Sequence, residues 1–387
     1  MEKIVLSVNI GSSSKKFGLF KNDAMVLRAY AETTKDGYLL SVGDEQRGIS
    51  EEEYDRVYSL VMGAGVAKGL IGEHAPLSAV GVRVVSPGMF FTEHRIIDDA
   101  YISLLKEKAE EDPVHILPVV KEISRLRATY PEVPLVGVSD SAFHRTQPDE
   151  AFHYAIPDDS AGQYDVAHFG YHGLSVASIA RVLPTLNISH ERVIVCHLGS
   201  GASVTALFRG KSIDTSMGYA PLEGLLMSSR AGDVGAGAIF HLLRSFSPEA
   251  LERLLYEESG LRALSGVSSD MREIISAEEV GDVGAERAIR SYVYRIKKYI
   301  GAYIAALGGA DVIVFSGTIG ERSHIIRGKI CKELAFSGAI LDPEKNASAV
   351  SGTTISIPES RVRLLVLSPN EESEILEVVK VALFGRY

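Results

Sequence analysis

Two distant stretches of this chain carry the same pattern. Val5-Leu6-Ser7-Val8-Asn9-Ile10-Gly11-Ser12 runs on to Leu19-Phe20, and Val193-Ile194-Val195-Cys196-His197-Leu198-Gly199-Ser200 runs on to Leu207-Phe208, at a constant offset that carries Asn9 onto His197. Each copy predicts a strand, a tight Gly/Ser turn and a second strand. Small residues at a hairpin tip let backbone N–H groups approach an anion closely, so each tip is a candidate nest for phosphate oxygens. A single such hairpin is usually only a hairpin. Two at matched positions predict a duplicated domain pair with a nucleotide held in the cleft between its halves.

The 387 residues allow two domains, and a 46% hydrophobic, 23% charged composition is that of a globular chain with a real core. Fifty acidic side chains against 40 Lys and Arg give a net charge of −10, which excludes the broad basic footprint of a nucleic-acid binder. A negative protein that binds anions must concentrate cations locally, which singles out individual arginines. Cys196 and Cys331 are too few for a disulfide framework. Cys196, inside an apolar run, reads as a small buried hydrophobe. No signal-peptide pattern and no run long enough to span a bilayer are present, so the expectation is a cytoplasmic protein without membrane contact.

Along the chain, Lys16–Phe20 and Met25–Ala31 alternate as a meander. Glu51–Leu70 has helical periodicity. Leu77–Val85 predicts a strand with Val80, Val82 and Val84 on one face and Arg83 on the other. Ala100–Tyr130 predicts helix interrupted at Pro113 and Pro118, and Val133–Ser139 a strand ending at Asp140. After the second hairpin comes a Gly/Ser-rich loop, Asp214–Asp233. Helices follow, the longest over Glu278–Leu307. The strand Asp311–Phe315 is closed by Gly317-Thr318-Ile319-Gly320, a third backbone anion or nucleotide site on this pattern. A last strand, Arg363–Leu367, and a last helix, Asn370–Leu383, complete a mixed α/β duplication with no low-complexity linker.

Taken in order, the blocks Asn9-Ile10-Gly11-Ser12-Ser13-Ser14-Lys15-Lys16, Ser139-Asp140-Ser141-Ala142-Phe143-His144, Gly170-Tyr171-His172-Gly173, His197-Leu198-Gly199-Ser200-Gly201-Ala202-Ser203, Asp214-Thr215-Ser216-Met217-Gly218, Pro221-Leu222-Glu223-Gly224, Ser229-Arg230-Ala231-Gly232-Asp233, Ile319-Gly320-Glu321 and Asn370-Glu371-Glu372 resemble the acetate and propionate kinase family. The resemblance implies a duplicated actin-like (ribonuclease H-like) α/β fold. Its lobes would be residues 1–143, completed by the C-terminal helix 372–387, and residues 144–371, which carry the nucleotide-binding hairpin. It also implies reversible, direct in-line transfer of the terminal phosphoryl of ATP to acetate or a similar short acid, giving ADP and an acyl phosphate, with Mg²⁺ or Mn²⁺ and in a homodimer.

The chemistry suits such a residue set. A carboxylate is ionised at neutral pH and needs no general base. The difficulty is to bring one anion onto another and to hold the transferring group, which calls for placed cations and a metal. By position, Arg83 and Arg230 resemble the arginine pair that binds carboxylate and phosphoryl, with bidentate forks that lysine cannot offer. His172 resembles the transition-state histidine. Asp140 resembles an aspartate that orients an arginine or acts through the metal, with helix capping as the plain alternative. Glu371 resembles the metal-associated glutamate, with Asn9 nearby, although an acidic residue at a helix start is also favoured by the dipole. Ser12, Ser14 and Lys16 match the N-terminal turn. His197, Gly199, Ser200 and Gly201 match the phosphate hairpin, and Gly317, Ile319 and Gly320 the adenosine side. Val85, Val114, Tyr171 and Pro221 fall where the family lines its acyl pocket.

Departures from the family pattern bear on substrate. Ser86-Pro87 follows Arg83-Val84-Val85 where His-Gly is usual. Tyr171 stands for phenylalanine, Ser200 for asparagine, Val176 for histidine and Arg322 for asparagine. A hydroxyl at the acyl pocket wants a polar partner. Arg322 could hold phosphate or obstruct adenosine, which leaves an altered acid or donor open. A sugar or polyol kinase on the same fold, with Asp140 recruited as base, is a second reading. A nucleotide-gated binding protein is a third, and it leaves both arginines without a purpose.

Overall fold

In a computed structural model, the structure describes residues 2–385 apart from 12–13, 36, 74–75 and 112, together with the backbone but not the side chains of 111 and 113–115. Ser12 and the side chain of Val114, both named above, lie outside the described residues. The chain divides into two compact units, one formed by Met1–Ala142 with Asn370–Tyr387 and the other by Phe143–Pro369.

The first unit is built on one sheet. Its strands are β1 (Ile4–Ile10), β2 (Ser14–Lys21), β3 (Ala24–Thr34), β4 (Gly37–Val42), β5 (Glu45–Ile49), β6 (Ala79–Val84), β7 (Arg95–Ile96) and β8 (Leu135–Ser139), in the order β5-β4-β3-β2-β1-β6-β8-β7. The second unit's sheet holds β9 (Arg192–Leu198), β10 (Ala202–Phe208), β11 (Lys211–Thr215), β12 (Val312–Ser316) and β13 (Arg363–Val366), in the order β11-β10-β9-β12-β13. Five strands of the first sheet, β3-β2-β1-β6-β8, repeat this plan. In both, three antiparallel strands are followed by two parallel to the first. That is the duplicated actin-like topology.

The parallel central strands are buried on both faces, as strands covered by helices must be. Every residue of β1 and β12 is buried. The last helix, Glu371–Phe384, seats on β6 because Gly81 has no side chain; a Cβ there would lie 2.4 Å from Ile375. In the second unit the helix Val283–Ala306 buries Ile289, Tyr292, Ile296, Ile300 and Tyr303. On the other face, Val176 and Ile179 of the helix Gly173–Val182 pack with Val193, Val195, Val312 and Val314. Cys196 of β9 is fully buried and Cys331, at the end of the helix His324–Cys331, is 4% exposed.

Four local readings are corrected by the structure. The repeat is not held at one offset past the turn. Asn9 pairs with Lys16, whereas its counterpart His197 pairs with Ser203 and not with Val204, because the second turn is one residue shorter. Pro118 does not interrupt its helix, which runs unbroken over Pro113–Thr129. Pro113 sits at the first position, where its missing N–H costs nothing. Burial of Ile116, Val119, Val120, Ile123 and Leu126 outweighs the roughly 3 kcal/mol of an internal proline. The predicted helix 278–307 is instead Met271–Glu279 followed by Val283–Ala306. Gly281 breaks it at φ +90°, and Asp282 caps the second helix by accepting from the Ala285 N–H. Glu51–Leu70 likewise divides into Glu51–Asp55 and Val57–Ala67. Among the described residues no helix is long and apolar enough to cross a membrane.

Candidate active site

In the first unit the polar residues gather at the C-terminal ends of the parallel strands, where open α/β sheets collect ligand-facing groups. Asn9 and Arg83 are the next-to-last residues of β1 and β6, and Asp140 follows β8 with its N–H bonded to the Val84 carbonyl at 2.9 Å. Arg83 donates to both oxygens of Asp140, from Nε at 3.1 Å and Nη2 at 2.9 Å, and from Nη1 to Asn9 Oδ1 at 3.1 Å. Asn9 Nδ2 in turn donates to Glu371 Oε2 at 2.5 Å. Burial works against the charge on Arg83, but Asp140 and Glu371 outweigh it and hold the guanidinium firmly protonated. Asp140 thus meets Arg83 as a two-point partner. Lys16 stands opposite Asn9 in register, on the same sheet face, and is exposed. Its neighbour Lys15 points inward, onto Glu122 at 2.8 Å and the Tyr54 carbonyl at 3.0 Å. Val85 is half-buried and follows β6 directly.

Two carboxylates and one guanidinium leave this cluster one negative charge in excess. A single glutamate at the start of the last helix suits a Mg²⁺ ion held chiefly by phosphate and water oxygens, since Mg²⁺ keeps its waters and takes few protein ligands. Asn9 links the two groups, its amide nitrogen donating to Glu371 and its oxygen accepting from Arg83. Among the described residues no group of three His, Cys, Asp or Glu side chains forms a metal cluster.

In the second unit the hairpin tip is the focus. Gly199 N–H bonds the Gly201 carbonyl at 2.9 Å. A Cβ placed on Gly201 would lie 3.2 Å from His172 Nε2 and 4.0 Å from Arg230 Nη1, so an imidazole and a guanidinium converge on the bare Cα. His172 holds a left-handed conformation, φ +60°, at the start of its helix, a cost of about 1–2 kcal/mol for a non-glycine residue. Its Nδ1 meets Ser203 Oγ at 3.0 Å, and its ring centroid is 4.6 Å from that of His197. The register explains this pairing, because His197 and Ser203 are direct cross-strand partners on one face. Arg230 donates from Nη1 to the Pro221 carbonyl at 3.0 Å.

The loop holding Arg230 is braced from beneath. Tyr171, 1% exposed, donates its hydroxyl to the Tyr219 carbonyl at 2.6 Å. The Tyr219 N–H is shared by Tyr154 Oη at 2.8 Å and Glu223 Oε1 at 3.1 Å. The Tyr171 hydroxyl therefore has its polar partner inside the protein. His144 was not singled out from the sequence, yet it is fully buried and joins the Tyr171 carbonyl to Ser212 Oγ, each at 2.9 Å. Ser203 closes the block His197–Ser203 with no role legible in the sequence, and strand pairing is what places it beside His172.

At the start of the helix Gly317–Arg322, Gly317, φ +74°, and Gly320 pack down onto β9. A Cβ on Gly317 would come within 2.7 Å of the Leu198 carbonyl. Ile319 instead lines a cavity of about 650 Å³ together with Ser200, Thr318 and Arg322.

Beside this loop, burial pushes the Asp214 carboxyl up to about 6, against partial relief from a Tyr303 hydroxyl donor at 3.2 Å. The unfolded carboxyl titrates near 3.9. Between those values the folded state keeps a proton that the unfolded state has lost, so this contribution is full below about pH 4 and is lost as pH rises through 6. Asp214→Asn is expected to gain on the parent by at most about 2–3 kcal/mol between pH 4 and pH 7. Urea midpoints across that range measure it, and an unchanged difference would refute the assignment.

Two sheets of one topology, with cations gathered at strand ends and a hairpin tip, define a kinase-type member of the actin-like class. The sequence profile of the acetokinase family matches residues 4–377. An acetate kinase of Dictyoglomus turgidum is 37% identical over 395 residues, covering 97% of each chain. The acetate kinase structure of Porphyromonas gingivalis superposes with TM-score 0.84 at 32% identity, over 97% of this chain and 98% of that one. The propionate kinase structure of Francisella tularensis gives 0.86 at 30%, with the same coverage. The chain belongs to the acetokinase family, whose members are phosphotransferases with a carboxyl group as acceptor.

Proposed function

We propose that this protein transfers the terminal phosphoryl group of a nucleoside triphosphate, ATP in the simplest case, reversibly to acetate or a similar short-chain carboxylate. The observation that carries the reading is the convergence of His172 Nε2 and Arg230 Nη1 on Gly201 at a phosphate-type hairpin tip. A transferring phosphoryl seated there meets backbone N–H groups, an imidazole and a guanidinium. These are the placed donors that stabilise charge spread over equatorial oxygens. Arg83, kept charged and aimed by Asp140, binds the carboxylate acceptor. In the second unit His197, Gly199 and Ser200 serve the nucleotide phosphates. Tyr171 and Pro221 are the acyl-pocket residues of the second unit, and the internal bond of the Tyr171 hydroxyl leaves its ring as an apolar wall, which favours unsubstituted acids over hydroxy acids.

Glu371, held by Asn9, is the residue for Mg²⁺, which when bound neutralises phosphate charge. Against a sugar or polyol kinase stands the geometry of Asp140, whose two oxygens are both engaged by Arg83 rather than offered as a base. ADP release and hydroxylamine trapping with acetate, propionate, sugars and no acceptor test the reading. Acceptor-independent hydrolysis alone would end it.

A homodimer and a cytoplasmic location belong to the same proposal. The helix Ala236–Leu242 has no buried residue, and Phe240 at 69% exposure stands beside Leu243 and Phe246, also exposed. Such an apolar face fits a second copy of the chain. Phe240→Glu is expected to shift the sedimentation of the protein towards the monomer, and a parent protein already monomeric at micromolar concentration would refute it.

A further inference from the structure

We infer that the base of the phosphoryl donor is a 6-oxopurine, guanine or hypoxanthine, in preference to adenine, and that Arg322 reads it. This rests on the kinase reading above and deepens it. The 650 Å³ cavity lies within the second unit and begins at the hairpin tip, where Ser200 lines it. A Cβ on Gly199 would lie 3.9 Å from the Thr318 N–H, so the helix Gly317–Arg322 starts beside that tip. At about 1.5 Å per residue, Arg322 stands roughly 6 Å further along that helix than Thr318, and both line the cavity. Phosphates at the hairpin therefore put the base at the Arg322 end. Met271, Ile275 and Ile319 supply apolar flanks for a flat ring.

Among the groups that line the cavity, the carboxylate and the guanidinium groups distinguish the rings. Asp270 and Arg272 are spent on each other, with Arg272 donating from Nε to Oδ1 at 3.0 Å and from Nη2 to Oδ2 at 2.6 Å. Arg322 is exposed in the cavity, and among the described residues no hydrogen bond or ion pair engages it. A guanidinium only donates. Guanine and hypoxanthine present two acceptors on one edge, N7 and O6, which an arginine fork takes together. Adenine presents N7 beside an amino donor, so the same fork meets a donor with a donor.

The test uses the full chain with Mg²⁺, a short acid and a hydroxylamine trap, comparing ATP, GTP and ITP. We expect kcat/KM for GTP and for ITP to exceed that for ATP by about tenfold or more. Arg322→Asn should move the ratio back towards ATP by a similar factor, because a carboxamide both donates and accepts. An ATP value equal to or above the other two, or a ratio unchanged in the variant, would overturn the inference. So would a uniform rise in KM for all three, which would make Arg322 a phosphate ligand. Calorimetric titration with ADP, GDP and IDP reads the same preference without turnover. A protein that binds in this order yet forms no acyl phosphate would refute the kinase reading and leave the base assignment standing.

Discussion

Replacing Arg230 by alanine is expected to lower kcat by on the order of a hundredfold or more while leaving the fold intact. The guanidinium is half-buried, and its bond to the Pro221 carbonyl fixes its direction rather than the loop's, since the loop is braced independently through Tyr171, Tyr154 and Glu223. A bond from a charged donor to a carbonyl is worth about 1.5–3 kcal/mol of stability, less where it is half-exposed. Its role in transfer is larger, because it lies within reach of the group that His172 also faces. Arg230→Lys restores the charge without the fork and should recover only part of the rate. Steady-state kinetics beside a urea titration separates the two contributions. Undiminished kcat in the alanine variant would remove Arg230 from the mechanism.

Asp140→Ala should be costly in a different way. The carboxylate is 1% exposed and its guanidinium partner 16%. Removing one member of such a pair leaves a buried charge without compensation, at about 3–5 kcal/mol. Freed from Asp140, Arg83 keeps Asn9 and the field of Glu371, and should swing towards that glutamate, away from the acceptor carboxylate. Both a lowered urea midpoint and a rise in the KM for the acid are expected. Asp140→Asn preserves shape and one acceptor, so its stability loss should be smaller while the KM effect persists. Unchanged KM in both variants would contradict the orienting role.

The hairpins were legible because glycine and serine between apolar runs have few other uses, and the blocks around Asp140, His172 and Arg230 kept their order. What escaped was set by pairing and depth. β5 is largely exposed and polar, so its residues carry no apolar alternation to read. Sequence alone could not tell Lys15 from Lys16, since the pleat decides which of two adjacent lysines is buried against Glu122. The one-residue slip of the second hairpin is invisible to a repeat search, yet it selects Ser203 rather than Val204 as the partner of His197 and thereby the support of His172. Arg83 and Asp140 are 57 positions apart in sequence, and only the parallel β6–β8 register joins them.

The two thiols offer a reporter that the fold supplies by itself. Cys196 and Cys331 are the only cysteines of the chain, both are enclosed in the second unit, and burial raises both well above the range where thiolate forms. Alkylation of the untouched polypeptide must wait for that unit to open, so the rate at which iodoacetamide marks the protein clocks its breathing while the cysteine-free unit stays silent.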